Sequence, residues 1–139
     1  CWGFENREAA IRVPSVYWGQ EMATTNIEIK CVDNSSNPYL ALACIIACGL
    51  DGVKRQLPLP PQVETDPSTL TADEMAAACV QRLPASLHEA LIEMEQDEYL
   101  MKVLGEEFAS TYITVKTSEC GAFAGANSEF ELSQHRNKF

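Results

Sequence analysis

Two stretches near the start of the chain alternate between polar and apolar positions. Ala10 and Arg12 alternate with Ile11 and Val13, and Asn26, Glu28 and Lys30 alternate with Ile27, Ile29 and Cys31. Successive strand side chains point to opposite faces, so each stretch predicts a half-buried strand with an apolar back and a polar front. Glu28 is expected between Asn26 and Lys30 on one surface, with same-side neighbours roughly 6.6 Å apart. Arg7 and Arg12 are separated by an odd number of residues. If both serve one site, Arg7 must lie in a loop or bulge before the strand.

From Asn37 the pattern turns helical. Asn37 is an N-cap candidate and Pro38 suits a first helical turn, and Tyr39 to Leu50 is apolar almost all round, as expected of a helix covered on every side. The segment from Leu57 through Pro67 is too rich in proline to continue a helix and reads as an extended surface connection. Thr71 with Glu74, and Ser86 with Glu89, have the spacing of capping boxes. Leu87, Ala90, Leu91 and Met94 then form one apolar stripe. Asp97 starts or kinks the next turn, Gly105 is a stop signal, and a last helix is expected from Glu106 towards Glu119. The tail beyond Gly121 signals little. The fold class expected is α+β, with two or more short antiparallel strands near the N-terminus followed mostly by α-helix. No internal repeat or boundary stands out, so one compact unit is expected.

Composition narrows the partners. Twenty acidic against ten basic residues give a formal charge of −10, which disfavours nucleic acid and anionic membranes, since both are bound through dense Lys/Arg patches. The long uncharged stretch that includes Ser35 to Leu50 falls short of the roughly 20 apolar residues that a bilayer span needs. The chain opens on Cys1, so an internal cut or a processed end is expected. Six cysteines show no CxxC pair. They read as reduced cytosolic thiols, with Cys44 and Cys48 as buried small hydrophobes.

The chemistry concentrates in Asn6-Arg7-Glu8-Ala9-Ala10-Ile11-Arg12-Val13-Pro14 and in Glu28 on the following strand. Two guanidiniums can clamp phosphate oxygens through forked, charge-assisted hydrogen bonds, and a strand carboxylate offers a hard oxygen to Mg²⁺. These parts suit ATP. A single carboxylate does not make a Mg²⁺ site, so further ligands must come from chain not present here. Taken singly, Arg7, Arg12 and Glu28 would be ordinary surface charges, and the acidic run Glu89, Glu93, Glu95, Asp97 and Glu98 a wet helical face. Trp2, Phe4, Tyr17 and Trp18 read as packing residues, and His88 and His135 as solvated side chains.

In order along the chain stand that nine-residue motif, Ile27-Glu28-Ile29-Lys30, Asn37-Pro38-Tyr39-Leu40-Ala41-Leu42-Ala43, Gly49-Leu50-Asp51-Gly52 and Leu83-Pro84-Ala85-Ser86-Leu87. Together they resemble the glutamine synthetase family, and residues 1–139 resemble the carboxy-terminal part of its catalytic domain. The resemblance implies an ATP-dependent ligase that phosphorylates the side-chain carboxylate of glutamate and lets ammonia displace the phosphate to give glutamine. It also implies Mg²⁺ or Mn²⁺, a cytoplasmic location and a homo-oligomeric ring. By the same resemblance Arg7 is the catalytic residue holding the transferring phosphoryl group, and Arg12 and Asn26 stand at ATP-phosphate positions. Glu28 is implied as the metal ligand and Lys30 as a glutamate or phosphate contact, although simple charge pairing of Lys30 with Glu28 is an equal alternative. The better-known enzymes carry Arg where this chain has Asn26 and Lys30. The Asn-x-Glu-x-Lys version looks like a branch, some members of which are fused to an amidohydrolase domain, in which the acceptor amine or activity itself differs. A different amine, or a non-catalytic scaffold, are the alternatives.

Overall fold

The computed structural model describes residues 1–136. Its first element, β1 (Trp2–Phe4), runs parallel to β2 (Ile11–Val13), with Trp2 opposite Ile11, Gly3 opposite Arg12 and Phe4 opposite Val13. β3 (Glu28–Ile29) pairs antiparallel with β2, placing Arg12 opposite Glu28 and Ile11 opposite Ile29, and the sheet order is β1-β2-β3. The expected antiparallel pair is therefore β2–β3, and β1 adds a parallel edge. β3 is shorter than the alternation from Asn26 to Cys31 suggests, although the Lys30 N–H still donates to the Ala10 carbonyl at 2.9 Å.

Parallel neighbours ordinarily need a crossover of a dozen or more residues. Here residues 5–10 alone bring the chain back along β1. Asn6 makes this turn rigid. Its side-chain amide donates to the Val63 carbonyl at 2.7 Å and the Thr65 carbonyl at 2.9 Å, and its Oδ1 accepts from the Glu8 N–H at 2.9 Å. Ala9 is fully buried beneath the turn. The proline-rich connection is extended as expected, yet it is docked against β1 rather than merely crossing the surface. The Val63 N–H donates to the Trp2 carbonyl at 2.9 Å, the Trp2 indole donates to the Pro60 carbonyl at 2.8 Å, and Val63 is buried. Gly3 makes this approach possible, because a Cβ there would stand 2.4 Å from the Val63 carbonyl oxygen and 2.7 Å from Asn6 Cβ.

Helix starts follow local chemistry. A short α1 (Glu21–Thr24), absent from the sequence expectation, precedes β3. Asn37 caps α2 (Pro38–Lys54), its Oδ1 accepting from the Tyr39 and Leu40 N–H groups at 3.0 and 3.3 Å. Thr71 and Glu74 form the reciprocal capping box of α3 (Ala72–Ala77). Ser86 caps α4 (Leu87–Gln96), but the Glu89 carboxylate accepts from the Ala85 N–H instead of closing the box on Ser86. Asp97 caps α5 (Glu98–Leu104). Gly105, at φ 83°, ends α5 and opens α6 (Glu106–Phe123), a backbone conformation that costs glycine little. α6 runs past the expected Glu119, and α7 (Ser128–His135) follows where the sequence signalled little.

Contacts cluster into two units, Cys1–Ser36 with Gln56–Arg82 and Asn37–Arg55 with the chain from Leu83 onward, a division that the hydrophobic pattern does not announce. The first unit holds the sheet. In the second, α4 packs on α6 and α5 touches α2, α4 and α6, with Leu91, Ala109 and Ile113 as its buried residues. α2 departs from expectation: it has no buried residue, and Tyr39, Leu42, Ile46, Leu50 and Val53 form an exposed stripe. All-round hydrophobicity produces burial only where a partner lies on each side, and in this unit only α5 makes substantial contact with it, including a 3.2 Å bond from the Tyr99 hydroxyl to the Ala47 carbonyl. Cys48 is likewise exposed and Cys44 only half-buried. Tyr17 and Trp18 face solvent instead of packing, Trp18 at 97% exposure. His135 stacks on Phe123 with ring centroids 5.3 Å apart, so it is not simply solvated. No helix among the described residues is long and apolar enough to cross a membrane.

Asn6→Ala should destabilise the fold by about 1–3 kcal/mol, because the buried Val63 carbonyl and the partly covered Thr65 carbonyl lose their donor. Asn6→Asp should cost more, since a carboxylate oxygen would then face those carbonyls. Urea unfolding midpoints check both. A midpoint for Asn6→Ala equal to wild type would remove Asn6 from its anchoring role.

Candidate functional site

The turn and the two strands after it decide which charges meet. Arg12 leaves β2 on the face that Glu28 leaves from β3, because the two are cross-strand partners. Arg12 Nη1 donates to both Glu28 carboxylate oxygens, at 3.1 and 3.2 Å. Arg12 Nη2 donates to Glu5 Oε2 at 2.7 Å. One guanidinium thus spans two carboxylates. The Arg12 side chain is mostly buried, at 15% exposure, while Glu5 and Glu28 stay open to solvent. Arg12 Nε is buried and has no acceptor among the described residues.

Glu5 reaches this position because the turn opens with it in the left-handed region, at φ 53°. Its N–H donates to the Val13 carbonyl at 3.0 Å, and its Oε1 accepts from the Ser15 N–H. Bonds from Arg12 and then from Ser15 hold the Glu5 carboxyl down from 4.5 to about 2. The bond to Glu5 is likewise the main cause that pushes the Arg12 guanidinium further above its ordinary range. Glu5 was not among the residues expected from the sequence. No periodicity ties it to Arg12, and only the backward turn of residues 5–10 brings them together.

The other expected residues are placed differently. Arg7 lies in the turn before β2, the place expected if it shares a site with Arg12, and its side chain is exposed with no hydrogen bond or ion pair among the described residues. Its backbone carbonyl accepts from Lys30 Nζ. Lys30 is therefore held by the turn and makes no ion pair with Glu28, which corrects the pairing alternative. Asn26 lies outside β3, exposed, with its amide bonded to the Thr24 carbonyl at 2.8 Å. The structure thus joins Arg12 to Glu28 and Lys30 to the Arg7 backbone, and it folds Asn26 back on its own loop.

For a divalent cation the donor set is one hard carboxylate at Glu28, already bonded to Arg12, with Glu5 across the guanidinium. Among the described residues no group of three or more His, Cys, Asp or Glu could hold a metal ion. Mg²⁺ commonly takes only one or two protein carboxylates and completes its shell with water and substrate phosphates, so Glu28 has the chemistry of one such ligand.

The chain is similar to proteins of known class. The model of the family described as "Glutamine synthetase, catalytic domain" matches residues 1–135. The gamma-glutamylpolyamine synthetase GlnA3 of Streptomyces coelicolor is 38% identical over 139 residues, which is 100% of this chain and 30% of that protein. The glutamine synthetase of Clostridium saccharobutylicum is 36% identical over the same share of each chain, 100% and 30%. A solved structure described as "Apo GmaS without ligand" superposes with a TM-score of 0.70 at 26% identity, covering 97% of this chain and 29% of that one. The chain thus spans about 30% of the length of the relatives it matches.

Because Glu5 is held from 4.5 down to about 2, its ionised form favours the folded state. That contribution is complete above about 4.5 and is lost as pH falls towards about 2. The melting temperature of Glu5→Gln should therefore lie below wild type at neutral pH, and the gap should narrow as pH drops through this window. Thermal melts across the range check it, and a gap that does not change with pH would show that ionised Glu5 gains nothing from Arg12 and the Ser15 N–H.

Proposed function

Since the chain belongs to the glutamine synthetase catalytic-domain family, we propose that it forms the carboxy-terminal part of a cytoplasmic, ATP-dependent ligase that joins ammonia to the side-chain carboxylate of glutamate. The observation that carries this reading is the Arg12–Glu28 pair on one sheet face, beside the turn that bears Arg7. In the first step a glutamate carboxylate oxygen takes the γ-phosphoryl group of ATP and ADP leaves. In the second, ammonia attacks the acyl carbon, phosphate departs and a proton is lost, giving glutamine.

Phosphoryl transfer leaves the protein little covalent work, so positioning and charge neutralisation supply most of the acceleration. Arg12 presents a forked donor to phosphate oxygens, and Arg7, free in its turn, reaches the transferring group. Mg²⁺ or Mn²⁺, when bound, neutralises charge on the phosphates, with Glu28 as one of its ligands. The remaining ligands belong to other parts of the ligase, which assembles as a homo-oligomeric ring. Lys30 meets the glutamate substrate as a point charge, and Asn26 offers a neutral amide near the nucleotide.

An amine other than ammonia is the second reading. It is favoured by Asn26 and Lys30 standing where Arg is usual, and by similarity to a relative named as a gamma-glutamylpolyamine synthetase.

ADP release by the full-length ligase carrying these residues, with glutamate plus ammonia or a panel of amines, separates the readings. Turnover is expected with one acceptor class, and silence with every acceptor overturns both. Arg12→Lys should lower kcat by about 10²–10³-fold, the usual loss for one transition-state donor. The 139 residues alone should show no turnover, because Glu28 is the one metal ligand they are assigned.

A further inference from the structure

Nothing in the family assignment gives Glu5 a role, yet Glu5 makes the shortest bond to Arg12, 2.7 Å against 3.1 and 3.2 Å to Glu28. The two carboxylates take different nitrogens of the same guanidinium, Nη2 for Glu5 and Nη1 for Glu28. The Glu5 carboxylate is itself fixed, because its other oxygen accepts from the Ser15 N–H and its backbone is bonded to Val13. Glu28 has no such second restraint among the described residues.

This asymmetry matters if Glu28 is to serve a divalent cation. A guanidinium bonded to both oxygens of a carboxylate competes directly with a metal for the same lone pairs. With Glu5 absent, Arg12 would have Glu28 as its only charged partner and would close on it. With Glu5 present, Arg12 keeps one charge-assisted bond when Glu28 turns to the ion. The charges favour the same order: Glu5, Arg12 and Glu28 sum to −1, which a divalent cation converts to +1, the sign that suits a polyphosphate.

Building on the proposed metal role of Glu28, we propose that Glu5 is a positioning residue that gives Arg12 a bond of its own, so that Arg12 can release Glu28 to a divalent cation while the guanidinium stays at the phosphate site. Glu5 touches neither ion nor nucleotide in this role. It acts through Arg12, as an outer partner does when it orients a metal ligand's neighbourhood.

The test is Mn²⁺ binding to the full-length ligase by titration calorimetry, in the absence of nucleotide, together with the Mg²⁺ dependence of KM for ATP. Glu28→Gln should abolish binding of the ion assigned to it. Glu5→Gln should weaken Mn²⁺ about tenfold, the lower end of the loss usual for outer partners of a metal ligand, and should raise KM for ATP more than it lowers kcat. The deciding measurement is the same substitution made in an Arg12→Ala background, where Glu5→Gln should have no effect on Mn²⁺ because there is no guanidinium left to restrain. Equal affinity in wild type and Glu5→Gln overturns the proposal. So does a loss that persists without Arg12, which would make Glu5 a direct ligand or a remote charge. If Glu5→Gln folds poorly, Glu5→Asp replaces it in both backgrounds; its shorter reach stretches the bond, and a loss of about threefold is expected, again only when Arg12 is present. If Glu28→Gln binds Mn²⁺ as wild type does, the metal role of Glu28 fails first, and this outcome is distinct from a normal Glu28 with an indifferent Glu5.

Discussion

The tie between Asn6 and the carbonyls of Val63 and Thr65 carries the rest of the first unit. Two parallel strands joined by residues 5–10 leave the chain no room for an ordinary crossover, so the turn must be held from outside. An amide that donates twice to a docked extended segment and accepts once from its own turn meets that need. The close approach in turn requires Gly3, since any side chain there would collide with a backbone oxygen. Two arginines owe their placement to this turn: Arg7 is displayed within it, exposed, and Arg12 is returned to the sheet opposite Glu28.

Around Arg12 the electrostatics is one cation between two anions, one of which is anchored and the other not. A symmetrical pair would hold the guanidinium in a fixed compromise. The anchored Glu5 instead gives Arg12 a bond that does not involve Glu28. Hydrogen bonds from the Arg12 guanidinium and the Ser15 N–H set the low proton affinity of Glu5, and its side chain, 41% exposed, is covered too little for burial to offset them. Of the two carboxylates, Glu28 is the one held only through Arg12 among the described residues.

What the sequence discloses is mainly local. Asn37, Thr71, Ser86, Asp97 and Gly105 announce helix ends because each acts on backbone groups within a few residues, and the structure places a boundary at every one. The alternation about Arg12 and Glu28 puts them on one face, and the odd spacing of Arg7 correctly displaces it into the turn. Long-range partners are harder to read. Asn6 bonds to carbonyls more than fifty residues away, and Glu5 meets Arg12 through a reversal that no periodicity encodes. α2 misleads in the opposite way, since its apolar composition shows what it could bury and not what lies beside it. α7 begins with Asn127 accepting from the Phe130 N–H, a cap visible only in retrospect within a weakly patterned tail.

The two tryptophans occupy opposite environments. The Trp2 indole is tied to the Pro60 carbonyl in the docked segment, whereas Trp18 stands almost wholly in water. A fully hydrated indole emits towards long wavelengths and is readily quenched by dissolved iodide, while a tethered, half-covered one is shielded. The fold therefore contains its own optical reporter: whatever settles over the loop at Tyr17 and Trp18 will register as a blue shift and a loss of quenching, without any dye being attached.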